Sequence, residues 1–286
     1  MASRGAQLRD NRARMSTTVE GVEAIALRLV LPPLCIALAT LAQHRLGDRL
    51  GGVVVGLPLT SGTFLGIVLL THGRAAVTEA AAGMLAGQIS VIAMTVAYAW
   101  LAGRAGVLTA LLGTVAAWAG SVALVQLVDG PLAAGLVYVV VAAATLGLWP
   151  RCAAPAKGSP LRPRRYLTAG RIALGSGLVI TLTAGMSLLG PALAGTLAAA
   201  PLVALVITPS THRTRGVDST RVLLGGVARG SVGAAVFAVV LFATASVLGG
   251  PSLLVATTAC LSVVALVGRG GRGPQREERP SAGSPP

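Results

Sequence analysis

Polar and apolar positions along this chain fall into blocks. Charge is absent from Leu50–Thr71 over 22 residues, from Ala80–Gly103 over 24, from Ala105–Val128 over 24 and from Gly130–Pro150 over 21. Two longer runs, Ile172–Thr211 with 40 residues and Gly230–Gly268 with 39, are equally uncharged. About 20 apolar residues carry an α-helix across a bilayer, so each of the longest runs holds two spans. The blocks predict about nine spans, near 24–43, 50–71, 76–102, 105–128, 130–150, 171–189, 191–208, 222–248 and 251–268. Chain-turning residues separate them, at Gly47-Asp48, Gly73, Gly103-Arg104, Asp129-Gly130-Pro131, Gly190-Pro191 and Gly249-Gly250-Pro251. The pattern is that of an all-α polytopic membrane protein.

The same pattern divides the chain. A basic N-terminal tail (1–23) precedes a first membrane repeat (24–128) and a joining helix (129–150). A basic, Pro-rich linker (151–170), a second membrane repeat (171–268) and a tail expected to be disordered (269–286) follow. The repeat emerges when the halves are aligned. "LGDRLGGVVVGLPL" from Leu46 matches "LGPALAGTLAAAPL" from Leu189 at a constant offset of 143 residues, pairing Gly47 with Gly190, Gly52 with Gly195 and Pro58 with Pro201. Downstream, "THGR" (Thr71–Arg74) answers "THRTR" (Thr211–Arg215), and an acid follows each, Glu79 or Asp218. One joining helix between two four-helix repeats places them in opposite orientations, an arrangement common among transporters.

Each repeat resembles the small four-helix GlpM-like bacterial inner-membrane proteins. The resemblance rests on Gly47, Gly52, Pro58, His72 and Gly83 in the first copy, and on Gly190, Gly195, Pro201, His212 and Gly225 in the second. It implies a fold and an inner-membrane address, so a multi-pass protein of the cell membrane, and brings no chemistry or ligand with it.

Composition narrows the partners. Only 11% of residues are charged and 54% are hydrophobic, whereas soluble chains carry about 25% charged residues. The net charge of +14 sits in tails and loops, as the positive-inside bias produces. Aromatic residues make up 3%, too few for a base-stacking surface, so the expected partners of the arginines are anionic headgroups and not nucleic acid. With its N-terminus outside, a nine-span chain puts the linker, the Thr208–Arg221 loop and the C-terminal tail inside. Arg4, Arg9, Arg12 and Arg14 then fall on the wrong side, a conflict that a tenth span or a re-entrant segment resolves. Arginine-dominated basic usage with abundant Ala, Gly and Val points to a GC-rich, actinobacterial genome. The N-terminal apolar stretch reads as an uncleaved first helix, because Pro32-Pro33 interrupt a signal-like core. Cys35, Cys152 and Cys260 form no metal or disulfide pattern.

Ionisable residues in or beside spans are costly and are the first functional candidates. His72, Glu79, His212 and Asp218 are the acid–base candidates; Arg74, Gln88, Arg213, Arg215, Arg221 and Arg229 are the substrate-binding ones. Arg229 falls about 12 Å along a helix beginning near Arg221, with a counterpart near Gly87-Gln88. A bland reading of the same residues is available: arginines obeying topology, acids on helix dipoles and Gly83, Gly87, Gly225, Gly226 and Gly230 as packing positions. No metal or cofactor motif is present. The expected function is a secondary transporter or exporter of a small anionic or zwitterionic metabolite. The alternatives are an intramembrane enzyme of a natural-product pathway acting on an acyl or aminoacyl substrate through His and Arg, and an envelope accessory protein.

Overall fold

A computed structural model describes residues 53–149 and 165–270, with Val30 and Leu34. The basic N-terminal tail, most of the first predicted span, the Leu46–Gly52 motif, most of the linker and the C-terminal tail lie outside the described residues. Almost all described residues are helical. After a helical segment at 53–56 come α1 (Leu59–Leu101), α2 (Val107–Val125), α3 (Gly130–Leu148) and α4 (Arg165–Ala184). The short α5 (Met186–Leu189) and α6 (Pro191–Ala198) lead into α7 (Leu202–Leu248) and α8 (Pro251–Gly270). Among the described residues four helical stretches are long and apolar enough to cross a membrane: Val53–Leu101, Val107–Val125, Gly130–Leu148 and Pro191–Leu248.

The two longest helices are each two arms joined at one glycine. Gly73 has φ 81° and ψ −174°, and Gly216 has φ 79° and ψ −174°. Side chains are excluded from this region, so glycine is what lets the chain redirect here. Gly73 and Gly216 stand at the same 143-residue offset as Pro58 and Pro201. At that offset His72 falls opposite Arg215 and His212 opposite Leu69, so the two histidines lie at different distances from the kink glycines. The kink is set by the backbone freedom of glycine, to which a histidine contributes nothing. It also replaces the expected turns: Thr71–Arg74 lies within α1, and Thr208–Arg221, Pro209 included, lies within α7.

α1, α6 and α7 form the centre. Phe64, Leu65, Ile67, Met84 and Ile92 from α1 are fully buried with Ile207, Leu223, Leu224 and Leu241 from α7. Small residues let the backbones meet. A methyl group at Gly83 would strike the Ala192 carbonyl of α6, and one at Gly195 would strike the Ala80 carbonyl of α1. Gly230 of α7 likewise meets Val53 and Gly56, while Gly87 of α1 meets Thr196 and Ala199. Each half thus drives its interrupted helix against the long arm of the other. α2, α3 and α8 pack around this centre, α3 and α8 adding Tyr138, Ala142, Ala256 and Cys260 to the core, and expose Leu108, Leu112, Leu132, Leu136, Leu254 and Leu261 as an apolar outer face.

Candidate functional site

Both crossing elements are interrupted where they meet. Pro58 has φ −77° and ψ 49°, and Pro201 has φ −84° and ψ 63°, close to inverse γ-turn geometry. The Leu59 N–H donates to the Leu57 carbonyl at 2.8 Å, and the Leu202 N–H to the Ala200 carbonyl at 2.9 Å. Proline ends the incoming helix because it offers no N–H and crowds the preceding turn. Helices restart with Gly62 N–H to the Pro58 carbonyl at 2.6 Å and Leu205 N–H to the Pro201 carbonyl at 3.0 Å. The first-turn amides between these bonds, Thr60 and Ser61 at one start and Val203 and Ala204 at the other, are the ones a helix start leaves unpaired. Neither start has a side-chain cap.

A cleft of about 30 Å³ lies between the two breaks, enough for one or two waters. Both Pro turns line it, together with Gln88, Val91 and Ala234. Gln88 is 2% exposed, and no described residue hydrogen-bonds its carboxamide. The cleft is chemically one-sided. Thr60, Ser61 and Gln88 supply polar side chains from the first half; at the same offset the second half has Val203, Ala204 and Ser231. Ser231 is occupied elsewhere, 3.1 Å from the Tyr138 hydroxyl of α3 and 2.8 Å from the Ala228 carbonyl.

Gln88 is the one sequence-predicted site residue in the cleft lining. The charged candidates gather at the two ends of the long arms. At one end His72 is exposed, with Nδ1 2.7 Å from the Thr71 hydroxyl, and Glu79 is exposed. Arg74 donates to the Ser246 carbonyl at 3.3 Å, beside Gly249. At the other end Arg221 donates to the Ala99 carbonyl at 3.3 Å and lies against Gly103. Asp218 is exposed at 4.0 Å from Arg221, Arg213 is exposed and Arg215 is half-buried. His212 sits with Nδ1 3.4 Å from the Tyr98 hydroxyl, its ring edge-on to the tyrosine at 5.9 Å. Arg74 and Ala99 are separated by about 37 Å of helix, so the two His-Arg-acid sets do not share a site. Arg229 is half-buried and donates to the Gly225 carbonyl at 3.0 Å. Its counterpart at the constant offset is Ala86; that of Gln88 is Ser231.

Sequence reasoning missed Thr60, Ser61, Tyr98, Tyr138 and Ser231. A signal existed for the tyrosines: the chain has three, and two of them fall within uncharged runs, where a phenolic hydroxyl needs a partner. Among the described residues no three His, Cys, Asp or Glu side chains come together. Comparison of the chain with family models, with curated proteins and with solved structures gives no match.

Proposed function

We propose that the chain is a secondary transporter of a small anionic or zwitterionic metabolite. In this reading it has nine spans in two inverted, duplicated halves, and the substrate path runs through the crossover cleft. The observation that carries the reading is the meeting of two Pro-centred helix breaks between crossing elements, with uncapped helix starts and an unpaired buried carboxamide. Interrupted helices that expose backbone donors and acceptors at mid-depth are how transporters bind polar solutes inside a membrane. The small cleft corresponds to a closed state, in which the halves must part to admit a substrate. Charged candidates at opposite ends fit gates better than chemistry. The enzyme alternative needs His72 and His212 as acid and base, and their separation by the length of the long arm weighs against it.

Flux measurements test the proposal. The full chain in sealed proteoliposomes should exchange radiolabelled alanine or lactate without changing it chemically, at a rate well above that of empty vesicles. No flux with either solute overturns the reading, as does turnover of a substrate by the detergent-solubilised protein.

A further inference from the structure

We infer that the crossover cleft is a carboxylate-binding site whose head-group reader is Gln88, acting with the uncapped amides of Thr60 and Ser61. This deepens the transporter reading, on which the choice of a metabolite as ligand rests. Gln88 is nearly fully buried, and a leucine or methionine of similar size would pack there without stranding an amide. Its carboxamide offers two N–H donors and an accepting oxygen, and nothing among the described residues takes them up. The Ser61 side chain is 5% exposed and lines the same cleft.

Charge selects the ligand class. The arm 59–72 begins in the cleft, and the positive end of a helix with free N–H groups favours an anion. Among the described residues no Arg or Lys lines the cleft, so a doubly charged phosphate would find no cationic side chain among them. A single carboxylate matches a cleft whose donors are helix-start amides and one carboxamide. The available 30 Å³ suits a head group, and the remainder of the ligand must rest against Leu202, Val203 and Ala234 as the halves move apart. One-sided polarity thus orients the solute, with its head to the first half and its body to the second. An ammonium group on the same molecule would meet the C-terminal carbonyls of α6, which distinguishes an α-amino acid from a simple acid.

Thermal unfolding of the full chain in lipid nanodiscs tests this with three probes of one size: lactate, alanine and lactamide. Either carboxylate should raise the melting temperature saturably, and the uncharged lactamide should not. A response to lactate assigns a plain acid, and a response to alanine alone assigns a zwitterion. Gln88→Leu should raise the half-saturating concentration at least tenfold, and Ser231→Ala should leave it unchanged. Equal shifts with lactamide, no shift with either carboxylate, or an unchanged midpoint in Gln88→Leu each overturn the assignment. If Gln88→Leu does not fold, the comparison of carboxylate with amide on the unaltered chain decides. Binding without flux removes the transporter reading and keeps the site; flux without Gln88 dependence removes the site and keeps the transporter.

Discussion

At Gly73 and Gly216 a single backbone conformation does what an interhelical loop does elsewhere. Both sit at φ near +80° with ψ −174°, a region essentially restricted to glycine, where another residue costs about 1–3 kcal/mol. Neither has a neighbour within 4 Å of an added Cβ, so backbone strain is the only penalty for a methyl group. Gly73→Ala and Gly216→Ala should therefore each destabilise the chain by about 1–3 kcal/mol, read as a lower melting temperature. Gly120→Ala is the control: it lies inside α2 with open space around it and should gain up to about 1 kcal/mol of helix propensity. If all three substitutions behave alike, the kinks do not depend on glycine. Gly73 was visible in the sequence as a break, but its partner was not. His212 is rare and ionisable, whereas Gly216 is one of 37 glycines and no local pattern marks it as a kink. Gln88 was visible as a polar residue in a span. That it faces a cleft is decided by α6 and the Pro58 turn crossing it, and no local pattern in the chain encodes that crossing.

Among the elements, each kink is tied to the opposite half. Arg74, just past the first kink, bonds the Ser246 carbonyl near the turn between α7 and α8. Arg221, just past the second, bonds the Ala99 carbonyl near the turn between α1 and α2. The two arginines occupy different positions on the 143-residue offset yet make the same kind of tie. Arg104, over the Trp100 ring at 4.4 Å, adds a cation–π contact at the second tie's end of the molecule. Hydrogen exchange in nanodiscs can separate the ties. Arg221→Gln should raise amide exchange across 99–106 and leave 246–251 unchanged, and Arg74→Gln should do the reverse. Matched increases at both ends in either variant would mean that the arginines act through global stability alone. Helical, apolar character was legible, because long uncharged runs mark it, whereas helices of 43 and 47 residues run through turns expected between shorter spans. The joints were less legible: the basic stretch Thr208–Arg221 reads as a loop by composition, yet a helix needs only one kinked residue to carry those charges around the end of the bundle.

For the whole molecule, the proposed inversion of the halves makes a strict demand on sidedness. Gly106 follows the long arm of the first half, and Gly250 follows that of the second. Between them lie α2, α3, α4, the unit of α6 with the first arm of α7, and the second arm of α7. If each of these crosses, their odd number puts Gly106 and Gly250 on opposite faces. Arg104, Arg213, Arg215 and Arg221 cluster toward the Gly106 end, which in the proposed topology the positive-inside bias would put on the cytoplasmic side. Both glycines have open space for a side chain and neither has positive φ, so cysteine can replace them without strain. In a background with Cys35, Cys152 and Cys260 replaced by alanine, a membrane-impermeant maleimide applied to intact spheroplasts should label Gly250→Cys and spare Gly106→Cys. Permeabilised spheroplasts should show both labelled. Labelling of both before permeabilisation, or of neither, contradicts an inverted pair. Labelling of Gly106→Cys alone keeps the inversion and turns the chain over, which would set its basic end outside against the charge bias.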